Sequence, residues 1–337
     1  MSAMPLKTVL PVMLAGLVAT MVACSDDDPA PATPSPTADA GSSGSSGSPA
    51  DDATAPKDIV DTAVGAGDFK TLVSAVQAAG LEATLRGPGP FTVFAPTDDA
   101  FAKVPDFLRT KLLSAPYKTE LGLILKYHVL AANVKAADVL GKTQDVASVQ
   151  GGKLKVDGAN DKVVINGTAN VTTPDVIASN GTIHVIDGVL LPTIVDTAVG
   201  YDDGTTKFST LVAAVTQADL AGTLSGPGPF TVFAPTDAAF AALKAQLGDD
   251  AFNAILADKP KLTKILTYHV VPAAVYEKDV TAGAVTTVET STFTISTSGG
   301  VKIADSTSTP ANVVLTDLPN SNGVIHVIDK VLLPPGL

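Results

Sequence analysis

The sequence contains no tryptophan and few other aromatic residues, so a hydrophobic core must be built mainly from aliphatic side chains. Aromatic residues make up 5% of the 337 residues, whereas hydrophobic residues make up 45%. That hydrophobic share is ordinary for a globular protein with a buried core. At this length, the chain is expected to form about two domains of ordinary size.

Basic residues are scarce. The chain has 22 lysines and arginines against 34 aspartates and glutamates, which gives a formal net charge of -12. This balance argues against a nucleic-acid partner, because phosphate recognition requires a basic surface. Part of the excess lies in residues 1–56, which hold one lysine and six aspartates. The remainder is a mildly acidic surface that identifies no partner.

A single cysteine, Cys24, excludes an internal disulfide. It follows Lys7 and an apolar run over residues 8–23, which is shorter than the ~20 apolar residues of a comfortable membrane span. The run predicts a signal peptide over residues 1–23. Met21-Val22-Ala23-Cys24 resembles a bacterial lipobox, which implies lipidation of Cys24. Ordinary signal cleavage near Ala23 and a free thiol are the alternatives.

A low-complexity segment separates this leader from the rest of the chain. Residues 25–56 lack leucine, isoleucine, valine, phenylalanine and tyrosine, and consist largely of small and polar residues. Such a segment cannot bury enough apolar surface to offset the entropy of ordering. We therefore predict a disordered tether over residues 24–55. The predicted location is the cell envelope, with a lipid anchor in the outer membrane or at the cell surface, or secretion.

Internal repetition is the strongest signal in the sequence. It predicts two domains of the same kind, over residues 56–192 and 193–337. The junction at Leu190–Ile194 has no glycine/serine spacer, so mutual contact between the domains is expected. Four segments recur in the same order: Ile59–Val64 as Ile194–Val199, Gly87–Asp98 identically as Gly226–Asp237, Tyr127–Val129 as Tyr268–Val270, and Asn180–Asp187 as Asn322–Asp329.

Each copy predicts helices first and strand hairpins later. Phe69, Leu72, Val73 and Val76 have the spacing of one helical face, whereas Lys153–Val156 alternates as a strand does. This order is typical of the α+β class. After the β-rich Phe91–Phe94, Thr97 or Asp98 can cap a helix. Asp98 and Asp237, at these helix starts, are therefore interpreted as N-caps and not as catalytic acids.

Three motifs in each copy resemble those of the fasciclin domain. Phe91–Phe101 resembles its first motif, Tyr127-His128 its tyrosine–histidine motif, and Asn180–Asp187 its closing motif, in the family's order. The second copy matches as well, so the resemblance spans about residues 56–335. It implies tandem domains, each a twisted β wedge or sandwich with packed α-helices. It also implies adhesion or matrix binding outside the cell, with no general catalytic activity and no cofactor.

The four histidines occupy matching places in the two copies. A metal site is one interpretation of His128 and His184, and of His269 and His326, but two histidines are too few ligands without placed carboxylates. Burial with hydrogen bonds to the backbone is the preferred interpretation. No metal site and no catalytic site are predicted. The chain also lacks Gly-x-Ser-x-Gly and His-Glu-x-x-His, which agrees with a protein that is not an enzyme.

The resemblance further implies adhesive roles for particular residues. The family's tyrosine–histidine motif carries over to Tyr127-His128 and Tyr268-His269. An aspartate before a branched apolar residue, assigned to integrin recognition in some animal members, carries over to Asp138 and Asp279. Tyrosines also pack in cores, and loop aspartates also cap helices and form turns. Both interpretations stay open at these positions.

The predicted function is adhesion at the cell surface. Protein or polysaccharide ligands would bind exposed faces of the two domains, and the membrane would be contacted only through the lipid anchor. The alternative is a structural lipoprotein of the envelope or biofilm matrix without a specific receptor.

Overall fold

A computed structural model describes residues 56–337 of the chain. The signal peptide predicted over residues 1–23, the lipidation of Cys24 and the tether predicted over residues 24–55 lie outside the described residues. Elements before and after Pro192 are assigned below to domain 1 and domain 2. Among residues 56–337, none of the helices has the length and apolar character needed to cross a membrane.

Domain 1 consists of seven α-helices and seven strands. Its helices are α1 (Ile59–Ala66), α2 (Lys70–Ala79), α3 (Glu82–Leu85), α4 (Asp98–Ala102), α5 (Asp106–Leu112), α6 (Lys118–Tyr127) and α7 (Ala136–Val139). Its strands are β1 (Phe91–Pro96), β2 (Val129–Leu130), β3 (Thr143–Ala147), β4 (Lys153–Asp157), β5 (Val164–Ile165), β6 (Ala169–Ala178) and β7 (Gly181–Ile186).

Domain 2 repeats this order, with a 3₁₀ turn at Glu277–Asp279 in the place of α7. Its helices are α8 (Ile194–Gly200), α9 (Ser209–Gln217), α10 (Ala221–Leu224), α11 (Asp237–Leu247), α12 (Asp249–Ala257) and α13 (Lys259–Tyr268). Its strands are β8 (Phe230–Pro235), β9 (Val270–Val271), β10 (Gly283–Thr286), β11 (Thr292–Ser296), β12 (Lys302–Ala304), β13 (Ala311–Asn320) and β14 (Gly323–Ile328).

Both domains form a seven-stranded sheet with the same topology. The order is β2-β1-β7-β6-β5-β4-β3 in domain 1, and domain 2 has the equivalent order. The two repeated motifs pair in parallel as the second and third strands from one edge, β1 with β7 and β8 with β14. All other pairs are antiparallel. The predicted α+β class is confirmed.

Strand β1, next to the edge strand β2, divides two hydrophobic clusters in domain 1. Val93 and Ala95 belong to the cluster formed with the helices, whereas Phe94 belongs to the cluster under the remaining sheet. Successive strand residues point to opposite faces, so one short strand supplies both. In domain 2, Val232 and Phe233 divide in the same way.

In the first motif, Asp98 does not cap the helix that begins with it. Thr97 caps α4, because its hydroxyl oxygen accepts from the Ala100 N–H at 3.1 Å. The Asp98 carboxylate instead accepts from the N–H groups of Thr71, at 2.8 Å, and Lys70, at 3.3 Å. The interpretation of Asp98 as the cap of its own helix is therefore wrong: it caps the neighbouring α2, which lies nearly thirty residues earlier.

Asp237 behaves as Asp98 does, so the corresponding interpretation is also wrong for domain 2. Its carboxylate accepts from the Thr210 N–H of α9 at 2.7 Å, whereas Thr236 caps α11. In each copy, one aspartate thus joins two helices that are far apart in the sequence.

The two domains are in direct contact, as expected from their short junction. Lys111 of α5 donates to Glu277 and Asp317, each at 2.7 Å, and to the Thr316 hydroxyl at 2.8 Å. These acceptors use all three donors of the ammonium group. The Tyr117 hydroxyl donates to the Thr316 carbonyl at 2.8 Å. Domain 1 therefore docks on strand β13 of domain 2.

A buried carboxyl group lies on the helix face that meets domain 2. Tyr117, Glu120 and Leu123 are spaced three residues apart and share a face. Tyr117 and Leu123 join the hydrophobic cluster of domain 2, which contains Tyr201. Glu120 is fully buried, and neither carboxyl oxygen has a hydrogen-bond partner within residues 56–337. Burial raises the pKa of Glu120 to about 8.

We expect Glu120→Gln to remove a loss of stability that accompanies a rise in pH toward 8. The folded chain holds the Glu120 proton up to about pH 8, whereas the unfolded chain releases it near pH 4.5. The free energy of unfolding of the wild type should therefore fall by about 2 kcal/mol between pH 6.5 and pH 8, and less in the variant. Urea denaturation at the two pH values measures this difference.

Lys261→Gln is the matched control. Lys261 holds the equivalent position of α13 and is exposed. Its replacement should leave the pH dependence unchanged. Parallel pH profiles for the wild type and Glu120→Gln would contradict the assignment of a neutral, buried carboxyl group.

Candidate functional site

The tyrosines of both tyrosine–histidine motifs lie in the hydrophobic interior. Tyr127 is 1% exposed. Its hydroxyl donates to the Lys153 carbonyl at 2.9 Å and accepts from the Asn166 amide at 3.0 Å. Burial raises the pKa of Tyr127 to about 12. The Tyr268 hydroxyl donates to the Thr292 carbonyl at 2.9 Å.

His128 connects the end of α6 to the segment that follows β7. Its Nδ1 lies 2.7 Å from the Ile124 carbonyl oxygen, and its Nε2 accepts from the Leu190 N–H at 2.9 Å. A carbonyl can only accept, so Nδ1 carries the proton and the ring is neutral. Burial lowers the pKa of His128 to about 4.

The second copy repeats this bridge. His269 Nδ1 donates to the Ile265 carbonyl at 2.8 Å, and Nε2 accepts from the Leu332 N–H at 2.9 Å. Burial lowers its pKa to about 4 as well. Both imidazoles are therefore fixed as structural bridges.

The histidines of the closing motif hold a β-bulge. His184 Nδ1 accepts from the Asp175 N–H at 3.2 Å, and Nε2 donates to the Val134 carbonyl at 2.8 Å. His326 makes the equivalent bonds with Asp317 and Val275. Asp175 and Asp317 have φ of 56° and 59° at the register shifts of β6 and β13. The predicted burial and backbone bonding of all four histidines are confirmed.

Asp138 and Asp279 are exposed in equivalent loops. We name residues 131–141 the Asp138 loop and residues 272–282 the Asp279 loop. The Asp138 carboxylate accepts from the Lys135 N–H at 3.0 Å, whereas the Asp279 carboxylate pairs with Lys278 at 2.8 Å. Asp138 thus combines a local turn bond with an accessible carboxylate. The structure does not bring these aspartates together with the buried tyrosine–histidine pairs.

Each loop is held by side chains from strands of the sheet. The buried Thr92 hydroxyl of β1 donates to the Ala132 carbonyl at 2.6 Å and accepts from the Val134 N–H at 2.8 Å. The Asp175 carboxylate accepts from the Ala136 N–H at 3.0 Å. Thr231 and Asp317 hold the Asp279 loop in the same way.

Sequence reasoning missed these supporting residues. The available signal for Thr92 was a polar residue inside an apolar strand motif that recurs identically. Asp175 gave no such signal, because its role depends on a bulge that forms only when β6 pairs with β7.

The Asp279 loop contacts domain 1. The Tyr276 ring meets the Phe107 ring edge-on at 5.3 Å, and Lys278 Nζ lies 5.2 Å from the centre of the Phe107 ring. Glu277 pairs with Lys111 at 2.7 Å. Most residues of both loops are nevertheless exposed, and in the Asp138 loop Leu140 is 40% exposed. The Asp279 loop thus contacts domain 1 through Tyr276, Glu277 and Lys278, while its Asp279 carboxylate stays exposed.

Within residues 56–337, no group of three or more histidine, cysteine, aspartate or glutamate side chains is arranged to hold a metal ion.

The matches to a known protein family fall on the two repeated domains. A sequence model of the Fasciclin domain matches residues 67–192 and 206–334. Protein sll1483 of Synechocystis sp. is 48% identical over 145 residues, which cover 42% of this chain and 74% of that protein. The transforming growth factor-beta-induced protein ig-h3 of Oryctolagus cuniculus is 29% identical over 255 residues, which cover 75% of this chain and 36% of that protein.

A solved structure has the same tandem content. The FAS1 domain pair of the insect cell adhesion molecule Fasciclin I aligns over 80% of this chain and 98% of that chain, with a TM-score of 0.38 and 18% identity.

Tyr127→Phe should weaken the fold. The change leaves the Lys153 carbonyl and the Asn166 amide without their buried partner, at a cost of about 1–3 kcal/mol in the free energy of unfolding. Tyr268→Phe, which loses the bond to Thr292, should cost less. Urea denaturation measures both. A stable Tyr127→Phe variant that has lost adhesion would instead indicate direct contact with a partner.

Acid should destabilise the chain through His128 and His269. Each has a folded pKa of about 4 and an unfolded pKa near 6.5, so only the unfolded chain takes up these protons between the two values. The free energy of unfolding should fall by roughly 3 kcal/mol per histidine as the pH drops from 6.5 to 4. NMR titration should find both rings neutral above pH 5. Midpoints near 6.5 would contradict this assignment.

Proposed function

This chain belongs to the fasciclin family, with two tandem copies of the domain, and we propose that it is a cell-surface adhesion protein that binds protein or polysaccharide ligands. The binding surface in this proposal is the Asp138 loop of domain 1. The occurrence of the fasciclin domain in adhesion proteins supports the general role, and the geometry of the two loops supports the location.

The observation that carries this location is the contact made by the Asp279 loop. That loop already contacts domain 1 through an aromatic pair, a cation over a ring and an ion pair between Glu277 and Lys111. These are contacts of the kind that dominate protein interfaces. A loop built on the same scaffold is suited to the same task.

The Asp138 loop presents this scaffold to solvent. Thr92, His184 and Asp175 hold its backbone from three strands, so a partner would meet a preorganised surface. Preorganisation reduces the entropy lost on binding. Asp138 and Leu140, two residues apart in the sequence, provide an accessible carboxylate and an accessible apolar side chain. Such a pair suits a partner with a basic or hydroxyl-bearing group beside an apolar one.

A non-enzymatic role agrees with the state of the histidines. All four use both ring nitrogens for hydrogen bonds with the backbone. A general base needs a free nitrogen within reach of a substrate proton. These imidazoles therefore support the architecture and leave recognition to the exposed loops.

The proposal includes anchorage at the cell envelope through lipidated Cys24 and a tether over residues 24–55. A passive tether of this length would hold the domains roughly 30 Å from the lipid surface. The exposed loop could then reach a neighbouring cell or matrix polymer.

Asp138→Ala should lower adhesion. If the Asp138 carboxylate lies at the centre of a ligand contact, its loss should weaken binding by about tenfold or more. Purified wild type and variant would be compared on arrays of matrix proteins and glycans and on whole cells. The free energy of unfolding, measured alongside, shows whether the loop variant retains the fold.

Asp279→Ala is the matched control. It removes the equivalent exposed carboxylate from the loop that already contacts domain 1, and binding should change by less than about twofold. Equal losses in the two variants would contradict the assignment to domain 1. Unchanged adhesion in Asp138→Ala would overturn the proposed surface.

A further inference from the structure

A cavity of about 330 Å³ lies beneath α5 in domain 1. Residues of α2, α4, α5 and α6 line it. Domain 2 also contributes to its wall. Representative lining residues are Ala75, Leu108, Leu121, Val189, Tyr276 and Pro319.

The cavity is large enough for an organic ligand. Small-molecule sites have volumes of ≈300–1,000 Å³ and mainly apolar walls. An apolar cavity of about 150 Å³ accommodates benzene, so this cavity would take about eight to twelve carbon atoms. An extended alkyl chain of that length fits the available volume.

Apolar side chains at the cavity remain partly exposed. Phe101, Val104, Leu112, Val189 and Leu191 line it, and none of them is fully buried by the protein. Exposed apolar groups that meet at one cavity often mark a ligand site. Burial of these groups by an alkyl chain would be favourable.

The polar lining is confined to a few groups, and only two of them are cations. His128 is neutral and both its ring nitrogens are occupied. Lys103 donates to the Asp187 carbonyl at 2.6 Å. Arg109 donates to the Phe101 carbonyl at 3.4 Å and to the exposed Asp106 carboxylate at 2.6 Å.

Arg109 can receive an acidic ligand group. A guanidinium has five N–H donors, and its planar fork matches a carboxylate. The two bonds of Arg109 leave other donors available, and its side chain is 34% exposed. Asp106, its present carboxylate partner, is 85% exposed and can be displaced into water.

The corresponding helix of domain 2 has a different core residue. Phe252 of α12 is buried and joins the hydrophobic cluster that contains Leu243 and Leu262. The preceding helix is also longer, since α11 spans 11 residues and α4 spans 5. The helices around this site thus differ between the two copies.

We infer that this cavity binds a medium-chain fatty acid, with the alkyl chain in the apolar interior and the carboxylate on Arg109. Tyr276 and Pro319 of domain 2 line the same cavity, so the bound chain would touch both domains. This inference goes beyond adhesion and concerns a surface separate from the Asp138 loop.

The test uses the full chain, delipidated and free of detergent, with decanoate as the probe and decanol as its uncharged counterpart. Isothermal titration calorimetry measures binding, and thermal unfolding measures stabilisation. Decanoate should bind one site and raise the unfolding temperature, because a ligand that binds only the native state stabilises it. Absence of saturable decanoate binding would overturn the proposal.

Two kinds of variant locate the ligand. Ala75→Leu and Val189→Phe each add volume inside the cavity, and either folded variant should lose binding of both probes. Arg109→Gln should weaken decanoate at least fivefold and leave decanol unchanged, whereas Lys162→Gln, an equal change of charge at an exposed site, should alter neither. Full decanoate affinity in a folded cavity-filling variant, or in Arg109→Gln, would contradict the assigned site.

Discussion

The fold depends on imidazole rings that must satisfy two ring nitrogens in a dry interior. His128 does so by donating to the last turn of α6 and accepting from the segment after β7, and His269 repeats the bridge. A protonated ring would present a second donor to a backbone N–H and lose one bond. The neutral form is therefore part of the architecture, and it fixes where the helix ends relative to the closing strand. The bridge also positions the Asp138 and Asp279 loops, which follow these histidines in the chain.

The two domains share one fold but differ in the surface of the helix before the tyrosine–histidine motif. Glu120 and Leu123 of α6 are buried against domain 2, whereas the equivalent Lys261 and Lys264 of α13 are not buried. The residues of α6 that pack inside domain 1 recur in α13: Leu121, Ile124, Leu125 and Tyr127 correspond to Leu262, Ile265, Leu266 and Tyr268. The difference therefore lies in residues outside each domain's own core. In domain 1, this face of the helix therefore contacts domain 2. In domain 2, the same face of α13 carries charged side chains. The short junction at Pro192 then determines which surfaces meet.

Local sequence patterns predicted local structure well. The apolar spacing from Phe69 to Val76 predicted α2, and Phe91–Pro96 predicted β1. Asp98 failed because its partners, Lys70 and Thr71, are brought to it by helix packing. The bulge at Asp175 and the contact of Lys111 with Asp317 depend likewise on pairing between distant segments. The sequence also could not decide between the two interpretations of Asp138. An aspartate in a loop fits both a turn role and a binding role, and only the packing of its neighbours determines whether it is exposed.

Two kinds of buried titration act on stability in opposite directions. His128 and His269 lower the free energy of unfolding as the pH falls from 6.5 to 4, because their rings stay neutral in the folded chain. Glu120 lowers it as the pH rises from 4.5 to 8, because its carboxyl stays protonated in the folded chain. The histidines lie inside each domain, whereas Glu120 lies where the domains meet. A rise in pH toward 8 should therefore act first on the contact between domains, and acid on their interiors. The contact between the domains and the interiors of the domains should both be most stable between these limits.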